Sequence, residues 1–388
     1  MLKQTKMIPA EFDDIRPFAP EEMPAAIDSL LADPQFLAIV SSFYRGVPVE
    51  ALRQQALACK DNLEFQKKFF YPLVNEILAK HSDGCTIDVS ALADKAQGYT
   101  FVSNHRDIVL DAALLSAKLV DEGFPNTPEI AIGDNLLVFP WIRTLVRLNK
   151  SFIVKRSVGM REMLLSSQIM SRYMHYVVEE KHSCIWIAQR EGRAKDSDDR
   201  TQESLLKMMA MGGEGTPLER LAALHIVPLT ISYEYDPCDF LKAKEFQQKR
   251  DNPHFKKSPE DDLRNMQTGI FGYKGRIRYK AAPCINTWLD ELKDVSKSRL
   301  FVEVALRMDR QIHRGYTIYA NNYVALDLLE GGHRFAGHYT LEEQAAFERY
   351  LQERVALVDL PDKDEAFLRE RILTMYANPL RNHLAAQV

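Results

Sequence analysis

The sequence predicts an α/β protein: a mixed central sheet flanked by helices, with an N-terminal helical region and C-terminal helices. Short β-rich runs alternate with amphipathic stretches in the middle of the chain, which is typical of packed α/β layers. Before and after them, apolar residues recur every three or four positions, which favours helices. Hydrophobic residues are 46 % and charged residues 27 % of the 388 positions, so the chain has the composition of a folded protein.

The order of these patterns divides the chain into three predicted parts. Residues 1–95 form an N-terminal helical region, interrupted at Gly46-Val47-Pro48. Residues 96–285 form an α/β catalytic domain, and residues 286–388 form a C-terminal helical extension packed on the core. This division agrees with the length, which exceeds one ordinary core of ~100–200 residues.

The predicted strands are the β-rich runs 99–103, 129–133, 151–154, 184–188, 226–233 and 276–281. A long amphipathic helix is predicted over 161–181. Pro228 lacks a backbone N–H, which favours an edge or irregular position for the fifth run. Residues 236–275 are polar and contain several prolines and glycines, so we expect a long excursion or flexible loop there.

Composition and charge exclude several functional classes. The formal net charge of −4 gives no general attraction to nucleic acid, and no nucleic-acid partner is expected. The five cysteines are scattered without a CxxC pair, which disfavours a disulfide framework or a thiolate zinc site. No charge-free run reaches the ~20 residues of a membrane-spanning helix, and no apolar run follows the basic start as in a secretory signal. We therefore expect a cytoplasmic protein.

The first candidate for chemistry is His105, in the run FVSNHRDIVLD at residues 101–111. A histidine at a strand end can act as a general base if a carboxylate holds its other ring nitrogen, and Asp107 and Asp111 are both near. Helical spacing does not choose between them, and His105 is expected in the turn before the helix. The alternative is a structural helix N-terminus, with Asn104 as the cap and Asp107 favoured by the helix dipole.

Charged residues also follow two other predicted strands. Lys155 and Arg156 end the run SFIVKR, and the run IWIAQREGRAK places Glu191, Gly192, Arg193 and Lys195 after a strand. A guanidinium at a strand end can bind a phosphate with two hydrogen bonds, and a glycine lets a substrate approach the backbone. Each run taken singly is also compatible with a solvated strand end.

Taken in order, these strand ends and the run HIVPLTISYEY at residues 225–235 resemble the four sequence blocks of the glycerolipid acyltransferase superfamily. The resemblance covers residues 100–235 and extends more weakly over 309–328, where DRQIHRGYTIYANNYVALDL is similar to a segment of the larger glycerol-3-phosphate acyltransferases. Two spacings differ from the family pattern. Five residues instead of four separate His105 from Asp111, and the third block reads Arg190-Glu191-Gly192-Arg193.

The resemblance implies a role for each matching residue. His105 would be the general base, with Asp111 as its partner because the apolar run AALL follows it as in the family; Asp107 is the alternative. The substrate-binding residues would be Lys155, Arg156, Glu191, Gly192, Arg193, Lys195 and Pro228. No metal or cofactor is implied, since a thioester is already an activated acyl group.

The implied reaction moves a fatty acyl group from acyl-CoA or acyl carrier protein to a hydroxyl of glycerol 3-phosphate or a lysophosphatidate-like acceptor, as in phospholipid biosynthesis. The irregular blocks leave two alternatives: an N-acyltransferase of amino-acid lipid synthesis, and a pseudo-enzyme that binds lipid or thioester without turnover. The aromatic and arginine-containing segment 135–147 is predicted either to contact a membrane interface or line an acyl channel, or to pack in the core. In the first case the protein would work at the inner face of the membrane.

Overall fold

The computed structural model describes residues 8–44, 46–156 and 159–388; residues 1–7, the start of the predicted N-terminal region, lie outside this part. The strands are β1 (Cys85–Asp88), β2 (Thr100–Ser103), β3 (Glu129–Gly133), β4 (Ser151–Val154), β5 (Ile185–Ala188), β6 (Ile226–Tyr233) and β7 (Ile277–Ala281).

The helices within the described residues are α1 (Met23–Leu31), α2 (Pro34–Phe43), α3 (Val49–Leu57), α4 (Asn62–Phe65), α5 (Tyr71–His81), α6 (Leu110–Asp121), α7 (Pro140–Leu148), α8 (Met160–His175), α9 (Glu203–Met209), α10 (Pro217–Ala223), α11 (Asp239–Asp251), α12 (Pro259–Phe271), α13 (Lys297–Gly315), α14 (Ala320–Glu330), α15 (Leu341–Ala356) and α16 (Glu365–Gln387). Short 3-10 and π turns connect or extend several of them.

One seven-stranded mixed sheet forms the centre of the molecule, in the order β1-β7-β6-β2-β5-β3-β4. The five strands from β6 to β4 are parallel, while β7 runs antiparallel to β6 and parallel to β1. The carboxyl ends of the five parallel strands therefore lie along one edge of the sheet. The predicted α/β class is confirmed.

Helices cover both faces of the sheet. Successive strand residues point to opposite faces, so neighbouring residues of one strand belong to different core clusters. Phe101 and Trp186 belong to a core cluster with α5 and α6, whereas Val102 and Ile187 belong to a cluster with α8, α9 and α13. Near-continuous apolar runs such as β6, in which every residue is buried, are expected for strands covered on both faces.

All six predicted strands are present, with ends that differ by at most one residue. The sequence analysis missed β1, which lies before the predicted boundary at residue 95 and pairs with β7 at the edge of the same sheet. The helical content expected on both sides of the α/β part is present, and α13 packs against β6. The limits of the three predicted parts remain a prediction.

The expectation of a flexible excursion over residues 236–275 is wrong, because this segment contains helices α11 and α12. Pro259, which the sequence analysis interpreted as a chain break, instead lies at the start of a helix. Pro259 occupies the first turn of α12, where a missing N–H removes no helical hydrogen bond. Ser258 and Asp261 form a capping box there, with hydrogen bonds of 3.3 and 2.9 Å.

The expected edge position of Pro228 is also wrong, since β6 lies between β7 and β2. The carbonyl of Pro228 accepts a hydrogen bond from Ala282, one residue beyond the end of β7, at 2.9 Å. The N–H and C=O of a strand residue point to the same side, so the missing N–H of Pro228 faces the point where β7 ends. The interior strand thus loses no more than one ladder bond at its periphery.

Two helical clusters flank the sheet. Helices α1 to α4 and α7 share an apolar cluster beside β4, and α11, α14, α15 and α16 share another beyond β6. No single helix in the described part of the chain is long and apolar enough to cross a membrane. One pair of helices, Pro20–Leu31 and Pro34–Phe43, has the length and apolar composition of a membrane span when the two are taken together. They are bent by 91° at their junction.

Candidate active site

His105 lies just past β2, in the turn before α6, as the spacing predicted. Its Nδ1 is 2.8 Å from Oδ2 of Asp111, whose side chain is fully buried, while 13 % of the His105 side chain is exposed. A carboxylate at Nδ1 favours the tautomer with the proton on Nδ1 and leaves Nε2 as the basic nitrogen. In that tautomer, Nε2 is the ring nitrogen that can accept a proton.

Asp111, rather than Asp107, is the carboxylate that contacts His105. Asp111 Oδ2 also accepts the backbone N–H groups of Arg106 and Asp107, at 2.6 and 3.1 Å. These bonds close the turn around one carboxylate oxygen, which accommodates the extra residue between His105 and Asp111.

Asp107 has a different position: its Oδ1 accepts the N–H groups of Val109 and Leu110, at 2.8 and 2.7 Å, and so caps α6. Burial, and then the nearby charge of Asp111, raise the pKa of Asp107. Asn104 was the alternative cap in the sequence analysis, and this is wrong. Its side chain instead bonds to both the N–H and the C=O of Ile231, at 2.8 and 2.9 Å.

The His105 ring is also fixed from the side by an aromatic residue. Trp186 of β5 meets the imidazole edge to face, with ring centroids 5.5 Å apart. Its indole N–H donates to Ser103 Oγ at 3.0 Å, so the tryptophan is itself anchored to the end of β2. Sequence analysis did not identify Trp186 as part of the site, since a tryptophan in an apolar strand is read as core.

The carboxyl edge of the sheet is split beside His105. β2 and β5 stay paired up to Ser103 and Ala188, and β3 and β4 up to Gly133 and Val154. In contrast, β5 and β3 pair only at their amino ends, through residues 185–186 and 129–130. A cleft therefore opens between the strands that carry His105 and Glu191 and the strands that carry Arg156.

The predicted substrate-binding residues other than Pro228 follow the strand ends at this edge, and two of them meet across the cleft. Arg156 Nη1 lies 3.5 Å from Glu191 Oε1, so the second and third sequence blocks are in contact. The guanidinium also covers Gly133, where an added Cβ would lie 3.1 Å from Arg156 Nε. Gly192 has a φ of 67°, a left-handed conformation that favours glycine.

The other predicted cations are engaged with protein groups. Lys155 Nζ lies 3.6 Å from an Asp14 carboxylate oxygen, and Lys195 forms an ion pair with the buried Glu245 of α11. Burial lowers the pKa of Lys195 to about 8. Arg193 donates to Asn265 of α12 at 3.0 Å. Pro228 is buried within β6, where it pairs with Val102 of β2, and so lies inside the sheet and not at its carboxyl edge.

No set of three or more His, Cys, Asp or Glu side chains within the described ranges is arranged to hold a metal ion. The carboxyl edge of the sheet holds an imidazole oriented by a carboxylate, with Arg156 and Arg193 on neighbouring strand ends. Such a site can remove a proton from a hydroxyl group whose substrate carries a negative charge.

Comparison with known proteins agrees with this geometry. The family model described as Acyltransferase matches residues 86–232, which include β2 to β5, all of β6 but its last residue, and the turns that carry His105, Arg156 and Arg193. Residues 86–232 belong to the acyltransferase family. The resemblance inferred from the sequence blocks is confirmed for this segment, which is an acyltransferase domain.

Among solved structures, the crystal structure of the 1-acyl-sn-glycerophosphate (LPA) acyltransferase PlsC from Thermotoga maritima is similar over 74 % of this chain and 93 % of that chain. The sequence identity is 13 % and the TM-score is 0.33. No curated protein sequence matches the chain.

A buried network behind the acyltransferase site escaped sequence analysis. Arg106 forms a two-point ion pair with Asp199, at 3.1 and 2.6 Å, and both side chains are almost fully buried. Tyr316 donates its hydroxyl to the same carboxylate at 2.5 Å, and His313 Nε2 lies 2.8 Å from the Asp199 carbonyl. The network thus ties the His105 turn and the loop after β5 to the end of α13.

The network extends to Asp309, whose Oδ1 accepts the N–H and hydroxyl of Thr201 at 2.8 and 2.6 Å. Burial raises the pKa of Asp309 to about 6. The folded protein then holds more protons than the unfolded chain between about pH 4 and 6, so this group lowers the free energy of unfolding as pH rises through that window.

Asp309→Asn is therefore expected to increase the free energy of unfolding at pH 8 by about 1–3 kcal/mol and to change it little at pH 4. The amide oxygen can still accept from Thr201, and no charge is buried. Urea unfolding of both proteins across this pH range measures the difference, with Asp294→Asn at an exposed position as the control. A pH-independent difference would contradict the assignment.

Helix α12 packs so closely against Asp107 that a side chain at Gly269 would clash with it. A Cβ built on Gly269 would lie 2.0 Å from Asp107 Oδ2. Gly269→Ala is expected to displace the Asp107 cap and lower the free energy of unfolding by about 1–3 kcal/mol, despite the better helix propensity of alanine. In Gly337→Ala the new Cβ meets nothing within 4 Å, and thermal unfolding should place it within about 0.5 kcal/mol of the wild type. Equal effects of the two variants would contradict the close packing.

Proposed function

We propose that the acyltransferase domain moves a fatty acyl group from acyl-CoA or acyl carrier protein to a hydroxyl of glycerol 3-phosphate or a lysophosphatidate-like acceptor in phospholipid biosynthesis. The observation that carries this proposal is the His105–Asp111 pair at the split edge of the sheet. Arginines on both sides of the cleft support an acceptor that carries phosphate. The proposal includes no cofactor besides the acyl donor.

In the proposed mechanism, His105 Nε2 removes the proton of the acceptor hydroxyl as its oxygen attacks the thioester carbonyl. Asp111 accepts the hydrogen bond from Nδ1–H and stabilises the imidazolium that forms. The tetrahedral intermediate collapses with cleavage of the C–S bond, and the imidazolium returns its proton to the leaving thiolate. The products are an ester and a free thiol, and His105 is again neutral.

The acceptor phosphate is proposed to bind on the cleft side of Arg156 and Arg193. Glu191 and Gly192 form the turn that leads to Arg193, and Glu191 contacts Arg156. Lys155 lies 3.6 Å from Asp14, and a phosphate can replace this ion pair. Lys195 and Pro228 are left out of the proposed binding surface. Lys195 is paired with Glu245, and Pro228 is buried inside the sheet.

The experiment that tests this function follows thiol release from acyl-CoA and from acylated carrier protein in the presence of each acceptor. Glycerol 3-phosphate and lysophosphatidate are the expected acceptors, and amino-acid amines represent the alternative N-acyltransferase. Thiol release that depends on a phosphate-bearing hydroxyl acceptor supports the proposal. Release that depends on an amine instead would replace it.

We also propose that segment 135–147 brings the site to the inner face of a membrane. Val138 and Phe139 are 49 % and 37 % exposed, and Phe139 stacks on Trp141 with ring centroids 6.3 Å apart. The first turns of α8, with Met163 and Leu164 exposed, follow the neighbouring strand end. Apolar residues exposed on both connections after β3 and β4 support a lipid contact.

Phe139→Ser is expected to reduce sedimentation of the protein with anionic phospholipid vesicles several-fold, because the buried ring area drives interfacial binding. Leu341, 84 % exposed at the start of α15, provides the matched control Leu341→Ser, which should sediment like the wild type. Equal sedimentation of all three proteins would contradict the proposed contact.

A further inference from the structure

The Asp111 carboxylate is held through one of its two oxygens. Oδ2 lies 2.8 Å from Nδ1 of His105 and accepts the backbone N–H groups of Arg106 and Asp107 at 2.6 and 3.1 Å. Oδ1 is buried and has no hydrogen-bond partner among the described residues. The orientation of this carboxylate relative to the imidazole therefore depends on the position of the turn backbone, and above all on Arg106, which makes the shortest of these bonds.

The side chain of Arg106 fixes that position from behind the turn. Its guanidinium makes two hydrogen bonds to the Asp199 carboxylate, and the Tyr316 hydroxyl donates to the same carboxylate at 2.5 Å. The central carbon of the guanidinium also lies 5.9 Å from the centre of the Tyr316 ring. Arg106, Asp199 and Tyr316 are all buried, so water competes little for these bonds and they are stronger than exposed ones.

Tyr316 itself is fixed against the central sheet. A Cβ built on Gly315 would lie 2.2 Å from Thr230 Oγ1, and the N–H of Thr317 donates to Ser232 Oγ at 3.1 Å. Both contacts are to β6, which lies beside β2 in the sheet. Because β2 leads directly into the His105 turn, the tyrosine and the turn are held relative to the same pair of strands.

Tyr316 also lies outside residues 86–232, the part of the chain that matches the acyltransferase family model. It follows α13, whereas Arg106 and Asp199 belong to the matched part. A residue from the C-terminal part of the chain therefore completes the hydrogen bonding behind the turn that carries the proposed base.

We propose that Tyr316 and Asp199 are positioning residues, which fix Arg106 and thereby set the hydrogen bond between His105 and Asp111. This inference rests on the proposed function, in which His105 is the base, and extends it to residues that act only through the turn. A misplacement of a reacting group by about 1 Å can cost about 100-fold in rate. Loss of this support should therefore lower kcat without weakening substrate binding.

The test compares Tyr316→Phe and Asp199→Asn with the wild type, each alone and combined with His105→Gln. Tyr316→Phe removes only a hydroxyl group and is expected to fold. The matched control is Tyr350→Phe, because Tyr350 of α15 also donates its hydroxyl to a buried aspartate, Asp239, that is paired with an arginine. Thermal unfolding verifies that each variant is folded.

Tyr316→Phe is expected to lower kcat for acyl transfer about 3–30-fold and to leave the KM values within about twofold, because only the position of the base changes. Asp199→Asn should lower kcat further, since an amide carries no charge to oppose that of Arg106. Neither substitution should reduce the residual activity of His105→Gln, because residues that act through the base have no effect once it is removed. Tyr350→Phe should keep wild-type kinetics.

A second measurement needs no substrate. In protein labelled with ¹⁵N at its ten histidines, the resonances missing from His105→Gln belong to His105. At about pH 8.5, where a histidine ring is usually neutral, their chemical shifts report which ring nitrogen carries the proton. We expect a single tautomer, protonated at Nδ1, in the wild type and in Tyr350→Phe, and a mixture of both tautomers in Tyr316→Phe.

A mixture of tautomers in Tyr316→Phe, in a protein that transfers no acyl group to any acceptor, would support the positioning role and contradict the proposed reaction. Transfer with an unchanged kcat and a single tautomer in Tyr316→Phe overturns the positioning role and leaves the reaction intact. An equal loss of kcat in Tyr350→Phe, or a further loss in the His105→Gln background, would also overturn the positioning role, since both indicate a general effect on the fold.

Discussion

His105→Gln is expected to lower kcat for acyl transfer by about 10²–10⁴-fold, the usual contribution of a positioned general base. Glutamine retains a hydrogen-bonding side chain of similar reach but cannot take the hydroxyl proton near neutral pH. The fold should be retained, because the imidazole is partly exposed and the turn is closed by backbone bonds to Asp111. Steady-state kinetics with saturating donor and acceptor measure the effect.

Two further variants test the role of the Asp111 partner and provide a control. Asp111→Asn is expected to lower kcat as well, because an amide does not stabilise the imidazolium and can favour the wrong tautomer. His333→Gln changes an exposed histidine far along the chain and should keep wild-type kinetics. If His105→Gln kept more than a tenth of the wild-type kcat, His105 would not be the base.

Asp199→Ala is expected to lower the free energy of unfolding by about 3–5 kcal/mol, because it leaves the buried Arg106 guanidinium without its counter-charge. Tyr316 would lose its acceptor at the same time. Urea unfolding measures the change, and Asp359→Ala, at an exposed aspartate, should stay within about 0.5 kcal/mol of the wild type.

The double variant Arg106→Met with Asp199→Leu provides a sharper comparison. It removes both charges and replaces them with apolar side chains, so much of the lost stability should return. A loss below about 1 kcal/mol in Asp199→Ala would show that solvent neutralises Arg106, and would contradict the buried network.

The strands of the parallel sheet were predictable because each is a short apolar run that ends in polar residues. β1 was not, since Cys85–Asp88 is only partly apolar and its partner β7 lies far along the chain. Helices α11 and α12 were hidden because the prolines and glycines of this segment were read as breaks, although Pro259 lies in the first turn of α12. Local composition does not separate these two roles.

The sequence identified the four blocks that carry the candidate site. It did not predict the turn geometry around His105 or the buried network behind the site. Five residues separate His105 from Asp111, so a turn rather than helical periodicity brings them together. The buried network depends on contacts between residues 93 and 117 positions apart, for Arg106 with Asp199 and Asp199 with Tyr316. The weak resemblance over residues 309–328 was the one sequence signal that pointed to this part of the chain.

The most direct test of the central claim is mass spectrometry of the product formed from a defined acyl thioester and glycerol 3-phosphate. The proposed site predicts a new species with the mass of the acceptor plus one acyl group minus water, released by mild alkali as expected for an oxygen ester. Its rate of formation should fall at least 100-fold in His105→Gln. An acylated product that forms equally fast in that variant, or an alkali-resistant amide, would contradict the account.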